Sequence, residues 1–191
     1  MTSARDDRVG AFVDACITDV TKAKALAAAD PTLLRAEWAG DPLLHWMAIE
    51  DFAAGVATLL DLGVPVDGRD ETGQTALHHA VRLGRFGIVR MLLQRGADPN
   101  AFHAEFLENP VAIALQHASV DVAVLLIDAG ARCDYLLPTH ETVFSGMAKL
   151  APVVRDHLVS MLAARGITRD GLFRTLGLDR IYDSPEQTYG W

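Results

Sequence analysis

The side chains of this 191-residue chain best suited to chemistry are its seven histidines and two cysteines. His78 and His79 are neighbours, and neighbours on a helix point to different faces, so they chelate poorly compared with an i, i+4 pair. His103, His140 and His157 have no recognisable carboxylate or cysteine partner, and no H-E-x-x-H or C-x-x-C pattern occurs. Cys16 and Cys133 are too few and too distant to suggest a disulfide framework or a zinc knuckle. A G-x-S-x-G elbow and a glycine-rich phosphate loop with a lysine are both lacking. These residues predict no catalytic centre, metal or cofactor, and reduced thiols.

The histidines take their meaning from the elements that carry them. Sliding Asp70 to Asn100 back by 33 residues places Leu77-His78 on Leu44-His45, Gly73 on Gly40, Leu92-Leu93 on Leu59-Leu60 and Gly96 on Gly63. Sliding it forward by 34 places Ala114 on Ala80, Leu126 on Leu92 and Gly130-Ala131 on Gly96-Ala97. Within each period Thr75 or Asn109 can cap a helix, and Pro110 suits a first helical turn. Gly84 permits a tight turn; Ile88, Val89, Leu92 and Leu93 then recur at helical spacing, leaving Arg85, Arg90, Gln94 and Arg95 for water. Gly96 ends that second helix in the left-handed conformation. One helix pair cannot bury its apolar face alone, so neighbours must stack.

The motif Thr75-Ala76-Leu77-His78-His79-Ala80 and the closing Gly96-Ala97-Asp98-Pro99-Asn100 resemble the ankyrin repeat family. The resemblance spans roughly residues 9–166. It implies an all-α solenoid of stacked helix-turn-helix units with hairpin loops and terminal capping helices. The expected divisions are a cap over 9–36, repeats over 37–69, 70–103 and 104–136, a degenerate repeat or cap over 137–166, and an extension over 167–191. Helices are expected near Val9 to Thr18 and Thr21 to Ala29 in the first cap. The family's structural histidine falls on His45 and His78, whose imidazoles are expected to bond the turn backbone; His79 reads as a packing position. In the first repeat the cap and proline shift to Asp41-Pro42, and in the third Leu107 replaces the usual turn glycine, so the 103–109 hairpin is expected to depart from the pattern.

The formal charge of −8 argues against a surface that neutralises phosphates. The N-terminal MTSARDDRVGAF lacks the apolar stretch of a signal peptide, and no run of about 18 uncharged apolar residues follows. A cytoplasmic protein that binds neither nucleic acid nor membrane is expected. Half of the residues are hydrophobic, which supports a continuous core. The resemblance implies a non-enzymatic adaptor or regulator, monomeric, that binds a protein on its concave face. Hairpin tips and exposed ends of first helices supply the candidate contacts: Trp38, Asp41 and Glu50; Glu71, Gln74, Arg82 and Leu83; and Phe102, Phe106, Glu108 and His117. Acids outnumber the single arginine there, so a partner with a basic surface is expected. The alternatives are an enzyme or small-molecule binder using Tyr182, Asp183 and Tyr189, and a self-associating structural subunit.

Overall fold

A computed structural model of the chain describes residues 4–102, 109–117, 119–132 and 152–166. They fall in two units, divided after Ala101. Among them are nine α-helices and one pair of two-residue strands, so the protein is mostly helical, as expected.

The first unit opens with α1 (Ala4–Thr18) and α2 (Val20–Ala29). Asp19 separates them and caps α2 by accepting the Lys22 N–H at 3.0 Å. Asp30 then accepts from the Thr32 N–H and hydroxyl, starting a short 3-10 helix over Pro31–Arg35 in place of a glycine turn. Strands β1 (Glu37–Trp38) and β2 (Asp41–Pro42) form a tight hairpin. Two helix pairs follow: α3 (Leu43–Ile49) with α4 (Ala53–Asp61), and α5 (Ala76–Arg82) with α6 (Phe86–Gln94).

The pairs stack like on like, α3 against α5 and α4 against α6. Their core is drawn from Leu44, Met47, Val56 and Leu59 in one pair and Leu77, Ala80, Ile88 and Leu92 in the next. The N-terminal pair covers this stack differently. Helix α2 buries only Ala23 and Ala27, whereas α1 supplies Phe12, Val13 and Cys16 and packs chiefly against α2 and α4.

Left-handed backbone recurs at the repeat turns: Gly63 and Gly96 have φ of +87°, and Gly84, between α5 and α6, has +64°. Asp51 stands 33 residues before Gly84 and takes the same conformation at +64°. Aspartate tolerates it because its short side chain bonds locally. Here Arg85 of the next repeat helps: it donates to the Ile49 carbonyl at 3.0 and 3.2 Å and lies 3.7 Å from the Asp51 carboxylate.

The second unit contains α7 (Pro110–Gln116), α8 (Val120–Asp128) and α9 (Pro152–Ala164). Asn109 accepts the Ala112 N–H at 2.9 Å and Pro110 begins the helix, the cap chemistry expected from sequence. Helices α7 and α8 pack as a pair, and α9 lies on α8. Arg165 beyond α9 donates to Asp128 at 2.6 Å. Leu107, Glu141 to Phe144 and residues 167–191 lie outside the described residues, as does Cys133.

Two glycines test the packing. A Cβ on Gly55 of α4 would overlap the sulfur of fully buried Met47, while one on Gly87 of α6 would meet nothing within 4 Å. Gly55→Ala is expected to lower the unfolding free energy by about 1–3 kcal/mol through overpacking. Gly87→Ala should raise it by up to about 1 kcal/mol, because only the backbone entropy changes. Urea unfolding followed by circular dichroism checks both; equal effects would mean that α4 is not seated on Met47.

Candidate functional site

The two hairpins of the first unit are built by different means. In the first, Glu37 pairs with Pro42 and Trp38 with Asp41, leaving Ala39 and Gly40 at φ of +55° and +94°. Two successive positive φ values suit the twist of a two-residue β-turn. The second hairpin closes by a single bridge between Arg69 and Thr75 and is organised by one carboxylate. Asp70 accepts the Thr72 N–H at 2.9 Å, the Thr72 hydroxyl at 2.7 Å and the Gln74 N–H at 2.9 Å through one oxygen. Its other oxygen accepts from Nε2 of His79 at 2.7 Å. Arg69 closes the loop by donating to the Gly73 carbonyl at 2.6 Å.

The histidines divide by role. His78 and His45 are buried, and both bond turn backbone as the resemblance implied. The Thr75 N–H donates to Nδ1 of His78 at 3.1 Å, and the Thr75 hydroxyl lies 2.8 Å from the same nitrogen. His45 points onward instead: its Nε2–H donates to the Gln74 carbonyl of the next hairpin at 3.1 Å. Burial lowers its pKa more strongly than the Gln74 carbonyl and the nearby Asp70 raise it. His79 is more than a packing residue, since its ring meets His45 edge-on at 5.8 Å while it holds Asp70. Sequence reading missed this pair because its members are nine residues apart on either side of a turn. An aspartate two residues before Thr72, with a histidine on the following helix, is the signal that was there.

The expected contact residues meet different fates. Glu50, Leu83 and His117 are exposed, and each is the residue that ends a seven-residue first helix. Glu71 is exposed at the second tip, and Phe102 is exposed after α6. Trp38 and Asp41 are half-buried. The Trp38 indole lies over Gly10 and meets Trp46 edge-on at 6.4 Å; Trp46 in turn packs on Phe52 at 5.5 Å. Trp38 is therefore committed to its own unit. Gln74, expected at the surface, is only 6 % exposed. Its amide donates to Thr72 and its carbonyl accepts from Arg82, so both Gln74 and the half-buried Arg82 are tied into the hairpin. Phe106 and Glu108 lie outside the described residues.

A carboxylate beside a histidine could orient a general base; the Thr72 hydroxyl beside the same carboxylate donates to Asp70 and is held in the loop. No group of three His, Cys, Asp or Glu side chains among the described residues is arranged to hold a metal ion. Cys16 is buried in the cap, and burial pushes its thiol up to about 11, away from nucleophilic reactivity.

Burial opposes ionisation of Asp70, yet the hydrogen bonds from His79, Thr72 and Gln74 outweigh it and hold the carboxyl down to about 2. A depressed carboxyl contributes stability above its unfolded value of 3.8, and that contribution is lost as pH falls through about 2. Asp70→Ala is expected to cost about 2–4 kcal/mol at pH 7, because it leaves four donors without their acceptor. Unfolding free energies of both proteins between pH 7 and 2 should converge at the acid end. Parallel curves would mean that the carboxylate is not the hub of the hairpin.

Comparison with known proteins places these repeats. Residues 14–103 match the family described as Ankyrin repeats (3 copies). An ankyrin repeat protein of Fowlpox virus is 28% identical over 151 residues, covering 76% of this chain and 34% of its own length. The human Ankyrin repeat and SOCS box protein 2 is 33% identical over 75 residues, 39% of this chain and 11% of the relative. The Drosophila melanogaster Palmitoyltransferase Hip14 is 41% identical over 64 residues, 33% of this chain and 10% of the relative. The chain thus spans about a third or less of these relatives' lengths. Helix pairs stacked at a 33-residue period, a threonine–histidine cap and the matched segment agree: residues 14–103 of this chain are ankyrin repeats.

Proposed function

We propose that this protein is a non-enzymatic adaptor or regulator that binds a protein partner through the tips of its hairpins and the exposed ends of its first helices. The observation that carries this reading is the series Glu50, Leu83 and His117. One scaffold position, the end of a first helix, is exposed in all three pairs and carries an acid, an apolar group and an imidazole in turn. Ankyrin repeats are generally protein-interaction modules, and varied side chains on a constant frame suit recognition. The relatives' names support the same reading: a palmitoyltransferase and an ankyrin repeat and SOCS box protein resemble this chain over segments of 64 and 75 residues.

The contact set we propose is centred on Glu50, Glu71 and Leu83, flanked by Asp41, with Phe102, Phe106, Glu108 and His117 continuing it in sequence. Its acids favour a partner with a basic surface. We read the chain as a cytoplasmic monomer, with a cap over 9–36, a degenerate repeat or cap over 137–166 and an extension over 167–191. No helix among the described residues is long and apolar enough to cross a membrane.

The test is selection of binders from a displayed protein library, followed by affinity measurements on variants. Leu83 is 48% exposed, so Leu83→Ala is expected to weaken binding by about 2 kcal/mol, a Kd roughly 30-fold higher, with little change in Tm. Glu71→Lys should weaken it about 10-fold and flatten its salt dependence. Trp38→Ala is expected to lower Tm as well, since the indole is packed on Gly10 and Trp46. Normal binding by the Leu83 and Glu71 variants, with loss on Arg90→Glu of the exposed face of α6, would place the interface on the second helices instead.

A further inference from the structure

His45 and His78 occupy the same place 33 residues apart, but their surroundings differ at one atom. Nδ1 of His78 has the Thr75 N–H and hydroxyl before it. Three residues before His45 stands Pro42, the residue just before α3, which offers neither a backbone N–H nor a hydroxyl. Nδ1 of His45 is accordingly buried with no hydrogen-bond partner among the described residues. The other ring nitrogen is committed, because a carbonyl only accepts: Nε2 carries the proton given to the Gln74 oxygen. A second proton can therefore enter the ring only at Nδ1, where it would be a buried donor with no acceptor among the described residues.

We infer that His45 is an acid-sensitive latch between the first repeat and the second hairpin: protonation at Nδ1 is incompatible with its buried place, so mild acid releases the His45–Gln74 bond and loosens the loop that presents Glu71. The latch itself does not depend on the binding role proposed above; its effect on a partner does.

The charged and titratable groups facing the ring come from several elements. Asp70 of the second hairpin and Asp41 of β2 favour a charged imidazole, His79 of α5 opposes it, and burial outweighs the carboxylates. Helix α4 contributes no such group to the site: its one ionisable residue, Asp61, ends the helix and pairs with Arg95 at 2.7 Å. A histidine whose folded pKa is lowered binds fewer protons folded than unfolded. The latch therefore contributes its full stability above the ordinary value of 6.5 and loses it as pH falls below that value toward the depressed one. The window lies well above the one in which Asp70 titrates.

Imidazole NMR titration of the intact chain, with hydrogen exchange at the Gln74 amide, reads both halves of the latch. His45 is expected to titrate below the ordinary histidine value, with Gln74 protection falling in the same pH range. In urea unfolding, His45→Gln keeps a donor for the carbonyl and should abolish the loss of midpoint between pH 7 and 5, whereas His79→Gln should retain it. Titration of His45 at or above the ordinary value overturns the inference, whether or not the variants fold. So does Gln74 protection that stays constant while His45 titrates, or a pH slope that survives His45→Gln and disappears in His79→Gln.

Discussion

The helices α3, α5 and α7 are seven residues long and their partners α4, α6 and α8 nine. Isolated helices below about 12–15 residues are marginal in water, because nucleation fixes several residues before hydrogen bonds accumulate. Each short helix must therefore be held at its ends and buried along its side, and those two demands explain the placement of most polar side chains described above. Thr75 with His78, Asn109 and Asp19 satisfy amides that the first turn leaves open; Gly63, Gly84, Gly96 and Asp51 let the chain reverse into the next element. The stack is then secured by bonds that cross from one repeat to the next. In the first unit they include His45 to the Gln74 carbonyl and Arg85 to the Ile49 carbonyl.

Those crossing bonds differ in weight. Arg95 with Asp61 in the first unit and Arg165 with Asp128 in the second occupy comparable places on the helix ends, but all four side chains are substantially exposed. Solvent and salt reduce such pairs to a fraction of a kcal/mol, so they favour a register more than they stabilise a fold. The His45–Gln74 bond is buried and the Asp70–His79 pair is largely shielded from water, so an unmade bond there costs the desolvation of its partner. The rigidity of the second hairpin thus rests on Asp70, His79 and His45.

The regular features could be read in the sequence because a repeat announces itself through spacing. Thr75, Gly84, Gly96, Asn109-Pro110 and both buried histidines stand where the 33- and 34-residue comparisons put them, since each answers a backbone requirement that recurs every period. The readings that changed concern side chains whose direction depends on a turn. Gln74 sits beside an exposed tip in sequence, yet the Asp70-centred loop turns it inward between Thr72 and Arg82. Trp38 sits at a tip too, but the absence of a side chain at Gly10 leaves a seat for its indole, a contact between residues 28 positions apart that no local pattern reveals.

Pro42 joins these observations to function. In the second repeat the cap residue is a threonine that serves the helix and the histidine at once; in the first, proline stands just before the helix and leaves the histidine with one bond instead of two. The missing bond matters little to α3, whose Leu43, Leu44, Met47 and Ala48 are buried. It matters more to the joint, because His45 is the buried polar side chain that links α3 to the hairpin carrying Glu71. A recognition surface built from tips is only as fixed as the loops beneath it. In this chain the loop beneath one tip is held from the neighbouring repeat by an imidazole that can keep its place only while neutral.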